Sequence, residues 1–129
     1  MSALARVAAE VADRSLSQET RREAREAAID IAHLSRMTLG ERSLEREVLA
    51  LFDRQADMLL PRIRLGEPAV AAAAAHTLKG SANGIGAFRV ARAAEAVERA
   101  EGAAIAAAID ALAAVLAEAK AEIARLTAQ

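Results

Sequence analysis

Ala103-Ala104-Ile105-Ala106-Ala107-Ala108-Ile109-Asp110-Ala111-Leu112-Ala113-Ala114-Val115-Leu116-Ala117-Glu118-Ala119-Lys120-Ala121-Glu122-Ile123-Ala124-Arg125-Leu126-Thr127 is the stretch that decides the fold. Ile105, Ile109, Leu112, Leu116, Ala119, Ile123 and Leu126 step by four and three along it. That period makes a helix with one apolar seam, and such a seam packs against near-antiparallel neighbours. Alanine, the best helix former, fills most of the remaining positions.

Working back from this helix, residues 87–101 read as another, stopped by Gly102. Residues 68–83 form the one before, with Pro68 at its first turn, Glu67 at the positive end of its dipole, and Asn83-Gly84 closing it. Leu44, Val48, Phe52, Leu59 and Ile63 mark a long amphipathic helix to about Leu65, starting at Glu41 or capped by Ser43. Pro61 is expected to bend or shorten it. Ile29, Ile31, Ala32 and Leu34 suggest a short helix ending before Leu39-Gly40. Further upstream, 3–14 and 17–28 read as two helices broken at Ser15-Leu16-Ser17, although one bent helix or a loosely docked arm also fits. The expected architecture is all-α: an antiparallel up-down-up-down four-helix bundle over 29–129, with a helical extension over 1–28.

Composition narrows the function. The 129 residues suit one domain, and 17 basic against 18 acidic residues give a net charge of −1. Such balance argues against a nucleic-acid coat or a surface for anionic membranes. The absence of cysteine excludes disulfides, thiolate zinc sites and cysteine nucleophiles. With no Trp or Tyr and two Phe, base stacking on aromatics is not expected. No apolar run reaches the ~20 residues of a membrane span, and the first residues do not resemble a secretion signal, so a cytoplasmic location is expected.

The chemistry concentrates around His76. If Ala71, Ala74, Ala75, Leu78, Ala82 and Ile85 face the core, His76 lies on the opposite face with Ala69, Ala72, Ala73, Lys79, Gly80 and Asn83 around it. Small neighbours leave the imidazole accessible. Gly80 stands out, because the other five glycines fall at expected breaks. A glycine inside a helix costs about 0.8–1 kcal/mol against alanine, which suggests that something must approach the backbone there. Lys79 is one of only two lysines against fifteen arginines, and a compact ammonium suits phosphoryl oxygens. A neutral imidazole can attack phosphorus, so His76 is a candidate phosphoryl carrier. An ordinary surface histidine is the other reading of the same spacing.

His76-Thr77-Leu78-Lys79-Gly80-Ser81-Ala82-Asn83-Gly84-Ile85-Gly86-Ala87 resembles the signature of histidine-containing phosphotransfer (HPt) domains. Glu95 and the helix carrying Phe52 fit that pattern, and the resemblance covers about 29–127. It implies a bundle without kinase activity, with His76 accepting phosphate through Nε2 from a receiver aspartyl phosphate and passing it to another receiver. Lys79 would neutralise the phosphoryl group, Gly80 would leave room for receiver loops, and Ser81 would be structural, bonding a carbonyl one turn back. Gly84 and Gly86 would permit the turn into the next helix. Docking would involve Ala72 and Ala73. Asn83 would contact the partner or cap its helix. Glu98 stands where several members place a glutamine, so it would either orient the imidazole or remain a solvated charge.

The implied partners are receiver domains of response regulators and hybrid histidine kinases, with no nucleic acid, no membrane and a monomeric state. No metal or cofactor is expected on this chain, the Mg²⁺ of transfer belonging to the receiver. Two other functions compete: a silent partner-binding bundle, and a histidine-kinase dimerisation domain. The second lacks its proline after the histidine and any glycine-rich ATP-binding segment. His33 has no companions at metal-ligand spacing. Phe52 and Phe88 are expected in the core, and Met37 and Met58 as gap-fillers.

Overall fold

A computed structural model of the chain describes the backbone of residues 2–128 and the side chains of residues 2–9 and 17–128. Six helices, and no strand, occur among the described residues: α1 (Ala3–Glu26), α2 (Ile31–Met37), α3 (Arg42–Leu65), α4 (Pro68–Ile85), α5 (Phe88–Arg99) and α6 (Ala104–Thr127). The last four form the bundle. Each packs on its successor, and α3 against α6 closes the ring. The short connections between them enforce the up-down-up-down order. Helix α2 lies against α4, and α1 touches α5.

The core is the set of stripes that the helical period picks out. Helix α6 buries Ile109, Leu112, Leu116, Ala119 and Ile123, with Ile105 and Leu126 packed at the ends of the seam. Helix α4 buries Ala71, Ala74, Ala75, Leu78, Ala82 and Ile85, the face expected from its sequence. Helix α3 contributes Phe52, Leu59 and Ile63, together with Leu49 and Ala56. The small residues of α4 let neighbouring backbones come close, and the large ones on α3 and α6 fill the space between.

Some boundaries fall on one of the alternatives left open, and others differ from expectation. Helix α1 is a single helix through Ser15-Leu16-Ser17, because two serines cost a helix interior only a fraction of a kcal/mol each. Its cap is Ser2, whose Oγ accepts from the Ala5 amide at 3.2 Å, and not Ser17. Helix α3 starts after Glu41 and runs through Pro61 to Leu65. The carbonyl that Pro61 leaves without a donor belongs to Asp57, an exposed residue, and the helix is not shortened.

Helix α4 does not close at Asn83-Gly84 but continues to Ile85. Gly86 supplies the left-handed cap at φ 84°, the Ala87 amide donates to the Ala82 carbonyl at 2.8 Å, and the Gly86 amide donates to Asn83 at 3.3 Å. This is a Schellman closure, which places its glycine one residue past the helix. Met37 and Met58 are exposed and fill no core gap. Phe88 is only half-buried, its ring edge meeting His33 at 5.1 Å between centroids.

Candidate functional site

Helix α4 carries the site on the face turned away from its core stripe. His76 projects from the middle of that face, and its side chain is 69 % exposed. Ala69, Ala73, Gly80 and Asn83 are exposed around it, and Ala72 is half-buried. These neighbours on α4 are small.

The next helix supplies the partner. Glu98 of α5 places Oε2 at 3.0 Å from His76 Nδ1 and Oε1 at 3.0 Å from Lys79 Nζ. One carboxylate therefore touches both groups. It is much less exposed than the imidazole, at 22 %. Oε1 is shut off from solvent and forms no well-aligned hydrogen bond; the Lys79 ammonium is its charge partner. Lys79 is chiefly responsible for holding the Glu98 carboxyl below its ordinary range. Burial pushes the other way, and the His76 hydrogen bond adds to the lowering.

The ring geometry follows. An ionised carboxylate only accepts, so His76 Nδ1 is the donor and carries the proton. In the neutral imidazole, Nε2 then holds the lone pair. The exposed ring thus presents a nucleophilic nitrogen to solvent, and an ammonium lies one helical turn along.

The glycines separate into two kinds. A Cβ at Gly86 would meet the Asp30 carbonyl oxygen at 2.9 Å, and the φ of 84° disfavours any other residue. A Cβ at Gly80 would meet nothing within 4 Å, and the same holds at Gly84. The fold itself therefore has no need of glycine at 80. Gly84, expected in the turn, lies inside α4 on the stripe that His76 and Gly80 share at steps of four. There its side-chain position is open, while its carbonyl lies against the His33 ring. Recognising that the Schellman glycine had to be Gly86 was the signal that would have placed it there.

The remaining predicted residues are less closely tied to His76. Ser81 forms no bond to a carbonyl one turn back; it lines a groove against α3 with Leu51, Arg54, Gln55 and Met58. Thr77 makes the back-bond instead, its Oγ1 donating to the Ala73 carbonyl at 3.1 Å. Asn83 lies within α4 and is not its cap. Glu95 pairs with Arg99 at 2.9 Å. His33 is committed elsewhere, with Nε2 at 3.2 Å from the Gly84 carbonyl. Among the described residues no cluster of side chains could hold a metal ion, and no helix is long and apolar enough to cross a membrane.

The sequence model of the Hpt domain matches residues 47–126, well over half of the chain. The chain belongs to the Hpt domain family. No curated protein and no solved structure matches it. Hpt domains are phosphocarrier modules of phosphorelays rather than catalysts, and they interact with receiver domains. In this Hpt domain the match begins in the second turn of α3 and ends in the last turn of α6, so it spans the four helices of the bundle.

Proposed function

We propose that this protein is a phosphorelay intermediate in which His76 Nε2 receives a phosphoryl group from a receiver aspartyl phosphate and returns it to the aspartate of another receiver. The observation that carries the reading is the exposed imidazole whose Nδ1 is engaged by Glu98 while Nε2 stays open. The Nε2 lone pair attacks phosphorus, the phosphorus–oxygen bond to the receiver carboxylate breaks, and that carboxylate takes the electron pair. The Nδ1 proton stays on the ring against Glu98. In the return step the same bonds break and form in reverse, and imidazole leaves as a neutral group.

Lys79 stabilises charge on the phosphoryl oxygens. Gly80, Ala72, Ala73 and Asn83 offer a low, nearly bare surface over which the receiver's loops can close. Gly80 fits this best, since nothing in its own fold occupies the space a side chain would take. The Mg²⁺ for the transfer sits on the receiver, and this chain contributes no metal ligand. We place the carrier function in residues 29–129, acting as a cytoplasmic monomer, with 1–28 as an appendage.

The test is transfer of radiolabel from phosphorylated receiver domains to the wild type and to His76→Gln. An acid-labile, base-stable label on the wild type alone is the expected result. A folded wild type that takes no label from any of a broad panel of receivers overturns the reading in favour of a silent binding bundle.

A further inference from the structure

Glu98 holds Lys79 before any phosphoryl group arrives. Its Oε1 is closed to water, and the ammonium at 3.0 Å is its charge partner. Its Oε2 is 3.0 Å from the ring that would bear the phosphate. A phosphoryl group on Nε2 brings about two negative charges into this neighbourhood. Lys79 then has two claimants. If it turns to the phosphoryl oxygens, a buried carboxylate oxygen loses its compensating charge, which is unfavourable. If it stays, the phosphoryl group lacks its cation and faces a nearby carboxylate.

Both outcomes raise the free energy of phosphorylated His76 relative to the free imidazole. From this geometry we infer that Glu98 is a positioning residue that competes with the phosphoryl group for Lys79, and so sets how strongly His76 gives its phosphate away. The inference rests on His76 being the carrier. It assigns the Lys79 contact a role distinct from the Nδ1 contact, because a glutamine could still accept from Nδ1–H through its amide oxygen but could not hold an ammonium by charge.

The exchange His76 + N-phosphoimidazole ⇌ phospho-His76 + imidazole measures this without any receiver. A phosphorus–nitrogen bond breaks and an equivalent one forms, so the equilibrium constant isolates the protein environment. It is read by ³¹P NMR on the full chain, with folding of each variant checked by thermal melting. Glu98→Gln is expected to raise the constant about tenfold, the scale of one neutralised charge beside a half-exposed site. In a Lys79→Met background the same Glu98→Gln change should instead raise it by less than about threefold, since the competition is gone.

An unchanged constant in Glu98→Gln, or an equal rise in both backgrounds, overturns the competition while leaving the carrier reading standing. If wild-type His76 takes phosphate neither here nor from receivers, the carrier reading fails and takes the inference with it. Should Glu98→Gln melt early, Glu98→Ala with its Lys79→Met double variant repeats the cycle.

Discussion

The two lysines of this chain are both held by carboxylates, on opposite seams of the bundle. Lys120 of α6 lies 2.6 Å from Asp53 and 2.6 Å from Asp57 of α3, two anions for one cation. Burial works against its charge, but the two aspartates prevail and raise its pKa above the ordinary lysine value. Lys79 of α4 has a single anion, Glu98 of α5, and shares that anion with His76. The first site is saturated and ties two helices together. The second leaves its lysine under-compensated beside an exposed nucleophile. A cation with carboxylates to spare serves the fold, whereas a cation that must share one is available to an incoming anion.

The sharpest way to break this contrast is at Gly80. Gly80→Gln should abolish transfer from a phosphorylated receiver while the melting temperature holds or rises, because the added side chain meets nothing in the fold and glycine is a poor helix former. Normal transfer rates in this variant would remove the argument for close approach. Next, Lys79→Ala should slow transfer about a hundredfold, the scale of losing one preorganised charge donor. His76 should remain chemically phosphorylatable, and loss of folding would mean that Lys79 belongs with Lys120 as a structural tie. Lys120→Met should do the reverse, lowering stability by about 1 kcal/mol in denaturant unfolding and leaving transfer rates unaltered.

The smallest effects are in pH. Glu98 has a folded pKa below its unfolded value, so its contribution is complete above the ordinary carboxylate range and disappears as pH falls through the folded value. Lys120 has a folded pKa above its unfolded value, so its contribution is complete below the ordinary lysine range and disappears as pH rises through the folded value. Stability profiles of Glu98→Gln and Lys120→Met should therefore depart from wild type in opposite directions of pH: the acid limb should flatten in the first, the alkaline limb in the second. Matching limbs in both variants would remove the electrostatic distinction between the seams.

Much of this was legible in the sequence, for identifiable reasons. The stripe of Ala71, Ala74, Ala75, Leu78, Ala82 and Ile85 follows from helical period alone, and placing it in the core leaves His76 outside. Gly80 could be singled out because alanine is the default elsewhere. The Lys79–Glu98 contact was not legible, since it joins two helices whose relative rotation is set by packing. Gly84 was misplaced because Asn-Gly is a strong turn signal and Gly86, two residues later, supplied the cap instead. The continuity of α1 through Ser15-Leu16-Ser17 was ambiguous because serine is both a fair interior residue and a good cap.

The Schellman glycine has a consequence for the order in which the molecule comes apart. The Asp30 amide donates to the Gly86 carbonyl at 2.9 Å, and the His33 ring reaches the Gly84 carbonyl across 51 residues of chain. Both of these contacts hold the start of α2 to the α4–α5 corner, so they can form only once that corner has closed. The start of α2 should therefore detach locally before the bundle opens. Amide hydrogen exchange at Asp30 would follow that local departure, while amides beside Leu78 and Leu116 wait for the whole bundle to open.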